Sequence, residues 1–301
     1  MKPIKKTVAL ILVLTLVAAA LIGCGSSSTS AEENDSSETE ARTIVVCTAG
    51  NPTPYVYLNE NGEVEGFEIA VLNAIFDRLP QYNLDVEVTE FASMLTGLDA
   101  GYYQIAMNHF AYNKTRAEKY IYSDVFGVDE RAIAVREDNT DINSVYDLPG
   151  HSTHETTGNF NSAIYEKYNE EHPDTPIDVS YTENFDTLQE ISNGRIDFYW
   201  FTKKNIETQI EEKGLTDIKL IDVPNDEGQE FSQALMGDFF LIAGNEEQLA
   251  ADMSAAFEEV LNDGTLQALR EEYLNETENP LTMEYVEYAR QFIADDLAQA
   301  N

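Results

Sequence analysis

The chain has 301 residues, room for two domains, with 18 basic against 55 acidic side chains and a formal net charge of −37. So negative a surface repels nucleic acid and anionic lipid, which argues against either as a partner. Two cysteines, Cys24 and Cys47, do not make a disulfide framework.

At the N-terminus, Lys2, Lys5 and Lys6 precede an apolar run over 8–22. This pairs a charged n-region with a hydrophobic stretch too short for a stable span. The run ends in Leu21-Ile22-Gly23-Cys24, which resembles a bacterial lipobox, where the Cys is lipidated and becomes the first mature residue. An uncleaved anchor is the alternative, but a polar Ser-rich stretch follows at once. The expectation is a signal peptide over 1–23, then a disordered tether over 24–41. Cleavage removes three Lys and no acid, leaving 15 basic and 55 acidic residues and a net charge of −40.

The folded body opens with a buried-strand pattern over 43–47, which makes Cys47 a core residue and not a nucleophile. A Pro-rich turn follows over 50–55, then an Asn-Gly turn over 59–62. Ile69, Leu72, Ile75, Phe76 and Leu79 recur at helical spacing, and 84–88 alternates like a strand. A helix over 94–101 stops at Gly101 and leads into a strand over 104–107. That strand exits through Asn108, His109, Phe110 and Ala111 towards Asn113-Lys114-Thr115-Arg116. Ligands of open α/β sheets bind at such carboxyl edges, and an Arg one loop beyond can pair bidentately with a carboxylate. Further strands are expected over 131–135, 177–181, 198–201, 219–223 and 239–243, and helices over 160–170 and 188–191. After Pro280, the positions Val286, Ala289, Ile293 and Leu297 predict a helix packed on the body.

The ordered set of the Pro-aromatic turn, Gly66-Phe67-Glu68-Ile69, Leu98-Asp99-Ala100-Gly101, Asn113 to Arg116, Tyr122-Ser123-Asp124, Asp147-Leu148-Pro149-Gly150, Asn193 to Asp197 and Asn262 to Leu266 resembles the solute-binding proteins of polar amino acid ABC importers. The phrasing at 97–101 and 150–153 is most similar to the cystine-type branch. The resemblance covers nearly all of 42–274 and implies an α/β fold of two lobes, the type II periplasmic-binding-protein fold, with two hinge-crossing strands. On this basis lobe 1 comprises 42–130 plus 236–276, lobe 2 comprises 131–235, and 277–301 is a C-terminal helix.

The resemblance also implies a site between the lobes. Arg116 would hold the ligand α-carboxylate, with backbone amides at Ala111 and Phe160, where a helix start offers free N–H groups. Phe91 would be the aromatic platform. Asn108 and His109 at the strand exit, Asn51 and Tyr55 in the turn, and Asn159 complete the expected set. Three positions depart from the family pattern: Pro52 replaces an aromatic, Gly158-Asn159-Phe160 replaces a Gly-Thr-Thr/Ser turn, and Thr202 replaces the acid that pairs the α-ammonium. Either the ligand lacks a primary ammonium, or another acid such as Glu68 takes that role. The aromatics Phe198, Tyr199, Trp200 and Phe201 read mostly as core.

The implied function is capture of a polar amino acid, cystine-like or a related small carboxylate, by a monomer held outside the cell membrane by lipid on Cys24, for delivery to ABC permease subunits. No cofactor and no metal are expected: His151 and His154 resemble a metal pair only by spacing. A rival reading is a dehydratase-like enzyme on the same fold acting on a small aromatic acid, with His109 as acid or base. A sensor ectodomain is a third, and it would need a membrane helix after the body; the acidic stretch to Asn301 reads as none.

Overall fold

The computed structural model describes residues 41–299 apart from 129, 183–185, 225–234, 236 and 278–279. The expected signal peptide, Cys24 and all but the last tether residue lie outside the described residues, as does part of the expected hinge.

The first lobe runs through β1 (Arg42–Thr48), β2 (Tyr57–Leu58), β3 (Val64–Glu65), α1 (Phe67–Phe76), β4 (Tyr82–Val88), α2 (Phe91–Asp99), β5 (Ile105–Phe110), α3 (Lys114–Ala117) and β6 (Ile121–Tyr122). The second follows with β7 (Arg131–Arg136), β8 (Ser152–Glu155), α4 (Phe160–Glu171), β9 (Asp178–Tyr181), α5 (Thr187–Ser192), β10 (Phe198–Thr202), α6 (Lys203–Lys213) and β11 (Ile218–Val223). The chain then rejoins the first sheet with β12 (Phe239–Ile242), followed by α7 (Glu247–Asn262), α8 (Thr265–Leu274) and α9 (Met283–Ala298).

The first sheet has the order β4-β1-β5-β12-β6. β1 is parallel to both β4 and β5, so the carboxyl ends of β1 and β5 share one edge. Alternation divides the apolar side chains between two layers. Ile44, Val46, Ile105 and Met107 join the core with α1, α7 and α8; Cys47, Ala106 and Phe110 pack with Met94 and Leu98 of α2. Burial pushes the Cys47 thiol up to about 12, in keeping with a core residue.

In the second lobe β7 lies between β10 and β11, antiparallel to both, and β8 pairs with β9. Ile133 and Val135 face a core holding Tyr165 and Trp200, whereas Ala132 and Ala134 face Leu188 and Ile191 of α5 and Ile206 of α6. The two passages between lobes run side by side, bridged at Gly127 and Asp238. A Cβ on Gly127 would lie 2.4 Å from an Asp238 carboxylate oxygen, so the close approach requires glycine there.

Several expectations needed correction. β5 does not end at Met107 but continues through Asn108 and His109, because their polar groups find partners: Asn108 Oδ1 accepts from the Ala49 amide and the Thr48 hydroxyl, and the His109 amide donates to Glu68. α2 starts three residues earlier than predicted, at Phe91. β8, α6, α7 and α8 have no counterpart among the predicted elements. For β8 and α6 the reason is polarity: Ser-Thr-His-Glu and a Lys/Glu-rich run carry weak apolar periodicity.

α9 is tied to the first lobe by Val286 and Ala289 in the core and by polar clamps. Arg290 gives two hydrogen bonds to Asp124 and further ones to Ser254 and Glu258, while Asp296 accepts from Tyr112 and Lys114. Among the described residues no helix is long and apolar enough to cross a membrane. Asp124 is buried, so losing its cation should be costly. Arg290→Ala should lower unfolding stability by about 1.5–3 kcal/mol, whereas Arg42→Ala, at the exposed pair with Glu246, should cost under about 1 kcal/mol. Urea unfolding of the two variants checks this; equal losses would show that the α9 clamp contributes no more than a surface pair.

Candidate functional site

At the carboxyl edge of β1 and β5 a cavity of about 610 Å³ opens between the lobes. The first lobe contributes Asn51, Phe91, Asn108, His109, Ala111 and Arg116, and the second contributes Asn159, Phe160 and Thr202. Nine of the ten expected ligand-binding residues therefore meet in one place.

Arg116 sits in the short α3, where the Asn113 side chain accepts from its backbone amide at 3.1 Å. Its residue is only 8% exposed, and burial lowers its pKa against an opposing contribution from Tyr122. The guanidinium lies 5.2 Å from the centre of the Phe110 ring and donates to the Gly158 carbonyl of the other lobe at 2.6 Å. No carboxylate pairs with it among the described residues. Phe110 in turn packs on Phe91, 5.9 Å between ring centres, so cation and platform form one stack.

Gly158 leads directly into α4. Asn159 caps that helix by accepting from the Ser162 amide at 2.8 Å, and Phe160 is its first residue. The first N–H groups of a helix have no partner in the helical ladder and favour anions. Arg116 and the start of α4 thus converge on one side of the cavity.

Tyr55 is the tenth expected residue, and it does not line the cavity. It is fully buried, and its ring stacks on His109 at 3.8 Å, so it supports the wall from behind. Glu68 is likewise withdrawn: it is fully buried, absent from the lining, and accepts from the His109 amide at 2.8 Å. The alternative that gave Glu68 the ligand ammonium is therefore overturned in this structure. His109 adopts a positive φ of 53°, uncommon outside glycine, and its Nδ1 lies 3.1 Å from Asp238 on the return passage. Among the second-lobe aromatics, Phe198 and Trp200 are core, but Tyr199 and Phe201 reach the cavity and stack on each other.

Charged residues that no motif marked also line the cavity, among them Arg131 and Glu155. Arg131, at the start of β7, is buried with its guanidinium 4.3 Å from the Trp200 ring centre and bonded to Asn161. Glu155, at the end of β8, is 2% exposed and accepts from the side-chain amides of Asn159 and Asn161. Burial pushes its carboxyl up to about 7, with the two amides and Arg131 pulling the other way. The sole sequence signal was a Glu in a strand that reads as polar. Thr202, at the end of β10, is also buried, and its Oγ1 has no hydrogen-bond partner among the described residues. A hydroxyl in that position can take a ligand hydrogen bond.

Comparison with known proteins places the geometry in context. A family model described as bacterial extracellular solute-binding proteins, family 3, matches residues 44–276. The L-cystine-binding protein TcyJ of Bacillus subtilis is 30% identical over 79% of this chain and 86% of its own length. The probable amino-acid-binding protein YxeM of the same organism is 28% identical over 77% of this chain and 83% of its own. A solved structure concerned with glutathione import in Gram-positive bacteria via GshT and the cystine ABC importer TcyBC of Streptococcus mutans superposes with a TM-score of 0.74. It is 29% identical and covers 81% of this chain and 99% of its own.

The raised pKa of Glu155 has a measurable consequence. Folded, the carboxyl binds a proton up to about 7; unfolded, it releases it near 4.5. Stability from this group is therefore full below 4.5 and lost as pH rises to about 7. Glu155→Gln removes the titration, so its stability relative to the wild type should climb across that window by roughly 3 kcal/mol and level off above it. Urea unfolding of both proteins from pH 4.5 to 8 checks this; parallel curves would mean that Glu155 is not held protonated.

Proposed function

This chain belongs to the bacterial extracellular solute-binding proteins, family 3, and on that ground we propose that it captures an amino acid for an ABC importer. The favoured ligand is cystine or a related polar amino acid. The protein acts as a monomer, held at the outer face of the membrane by lipid on Cys24, and hands its cargo to the permease subunits. The relatives named for cystine and amino-acid binding support this ligand class.

The observation that carries the reading is Arg116: a buried cation with no carboxylate partner among the described residues, facing a cavity shared by both lobes. A ligand carboxylate supplies the missing anion, and bidentate pairing with a guanidinium is both strong and directional. The helix start at Phe160 adds backbone donors to the same anion. Phe91 and Phe110 give the ligand an apolar surface, and Thr202 and Asn51 give it neutral polar contacts.

Binding is coupled to closure. The lobes close on the ligand, which touches both only when they are together, so it shifts the population towards the closed form. Hydrogen bonds between the lobes include Arg116 to the Gly158 carbonyl and Asn205 to the Thr53 carbonyl. Each lobe keeps its own apolar core, so opening exposes little core surface. The permease then reads the closed shape. A dehydratase-like enzyme has one feature in its favour, the His109–Asp238 pair. The matched family favours binding over catalysis.

Arg116→Ala should weaken ligand binding by about 2–5 kcal/mol while the fold survives, because the residue serves a cavity wall and not a core. Calorimetry with L-cystine, alongside circular dichroism, checks this; near wild-type affinity would refute the carboxylate assignment. The anchor is tested separately. Cys24→Ser should release the protein from the membrane fraction and stop incorporation of labelled palmitate, and persistence of either would contradict lipidation.

A further inference from the structure

If Arg116 takes the ligand carboxylate, the α-ammonium lies two bonds away and needs its own acceptor. Three acidic residues line the cavity: Glu90, Asp238 and Glu155. Glu90 is exposed at the start of α2, where water competes for any cation. Asp238 already faces His109 Nδ1 at 3.1 Å and sits against Gly127 at the passage between lobes. Glu155 differs from both. It is nearly inaccessible to bulk water, and its hydrogen-bond donors are the neutral amides of Asn159 and Asn161.

Its position also fits. Arg116 donates to the Gly158 carbonyl, and the next residue, Asn159, donates to Glu155. Two hydrogen bonds and one step of backbone therefore link the cation to the carboxylate. Both groups line the same cavity, so a cation and a carboxyl are available to the two ends of a zwitterion. Thr202, at the end of the neighbouring β10, offers a hydroxyl with no partner among the described residues as a further acceptor.

We propose that Glu155 receives the α-ammonium of the bound amino acid and so determines that the site takes zwitterions and not plain carboxylates. This rests on reading the ligand as an amino acid. The groups facing Glu155 are consistent with the role: Arg131 from β7, Tyr165 from α4, Tyr181 from β9 and Tyr199 from β10, besides the two amides. Arg131 is the single cation in that set. It is held over Trp200 and bonded to Asn161, and it leaves the carboxyl titrating near 7. An ammonium beside Glu155 draws that proton off, so binding near neutral pH should release protons.

The test is calorimetry at pH 7 with two probes, L-cystine and dithiodipropionate, which is cystine without its ammonium groups. The wild type, Glu155→Gln and Asp238→Asn are compared. The wild type should prefer L-cystine and release protons on binding it, seen as a heat that varies with the buffer's ionisation enthalpy. Glu155→Gln should lose about ten- to a hundredfold in L-cystine affinity and the proton release. Its affinity for dithiodipropionate should stay within about threefold of the wild type. Equal losses for both probes would make Glu155 a structural residue and overturn the proposal. A selective loss in Asp238→Asn and none in Glu155→Gln would overturn it in favour of Asp238. If Glu155→Gln does not fold, the wild type decides: L-cystine binding without proton release overturns the proposal. Equal binding of both probes by the wild type would also overturn it, yet leave the Arg116 carboxylate reading standing. Binding of neither would sink the amino-acid reading, and the proposal with it.

Discussion

A guanidinium removed from water costs several kcal/mol unless an anion or a full set of acceptors replaces its hydration. Arg116 is in that condition. It is buried, stacked on Phe110, beside the Tyr122 hydroxyl, and bonded to the Gly158 carbonyl of the opposite lobe. Much of the surrounding structure holds it there. Asn113 fixes the start of α3, and Tyr112 and Lys114, flanking that cap, are clamped by Asp296 of the last helix. The terminal helix, which lies beyond the 44–276 match to the family, thus braces the loop that carries the ligand's expected partner. Under the proposed function, a cation so positioned would favour closure when a ligand anion is present, coupling capture to movement.

The architecture permits that movement because the two lobes share little. Their cores are separate clusters, and the contacts between them among the described residues include hydrogen bonds and the approach of His109 to Phe201 at 6.0 Å. The passages that join them meet at Gly127 and Asp238, where the absence of a Cβ allows close approach. His109 lies beside that junction, bound by its amide to Glu68 and facing Asp238 through its ring. The cavity wall and the junction are therefore mechanically continuous.

Much of this was legible in the residues. The apolar run at 43–47 and the alternation at 84–88 mark buried strands because sheet burial demands period two or continuous apolarity. A lone Arg past a strand edge reads as a surface residue at a helix start; the ordered motifs around Arg116 are what mark it as a candidate ligand contact. Other features were hidden for physical reasons. Asn108 and His109 read as a polar exit, yet they lie inside β5 because Thr48, Ala49 and Glu68 supply long-range partners. Tyr55 read as a ligand contact, but a turn residue can as easily face inward, and it stacks beneath His109. Glu155 and Arg131 were missed because a charge in a short strand reads as solvated. Arg131 is held by Asn161 and Trp200, which are distant in sequence, and Glu155 by Asn159 and Asn161 across the turn that follows its strand. Tyr199 and Phe201 alternate with core residues on the same strand, and composition alone does not say which face meets the cavity.

The central claim is that a ligand carboxylate binds Arg116 between closed lobes. The most direct measurement is a crystal structure of the protein grown with L-cystine. The account expects one ligand carboxylate within hydrogen-bond distance of the Arg116 guanidinium and of the first amides of α4, with the ligand in contact with both lobes. Ligand bound elsewhere, or bound with its carboxylate turned away from an Arg116 still paired to the Gly158 carbonyl, would contradict it.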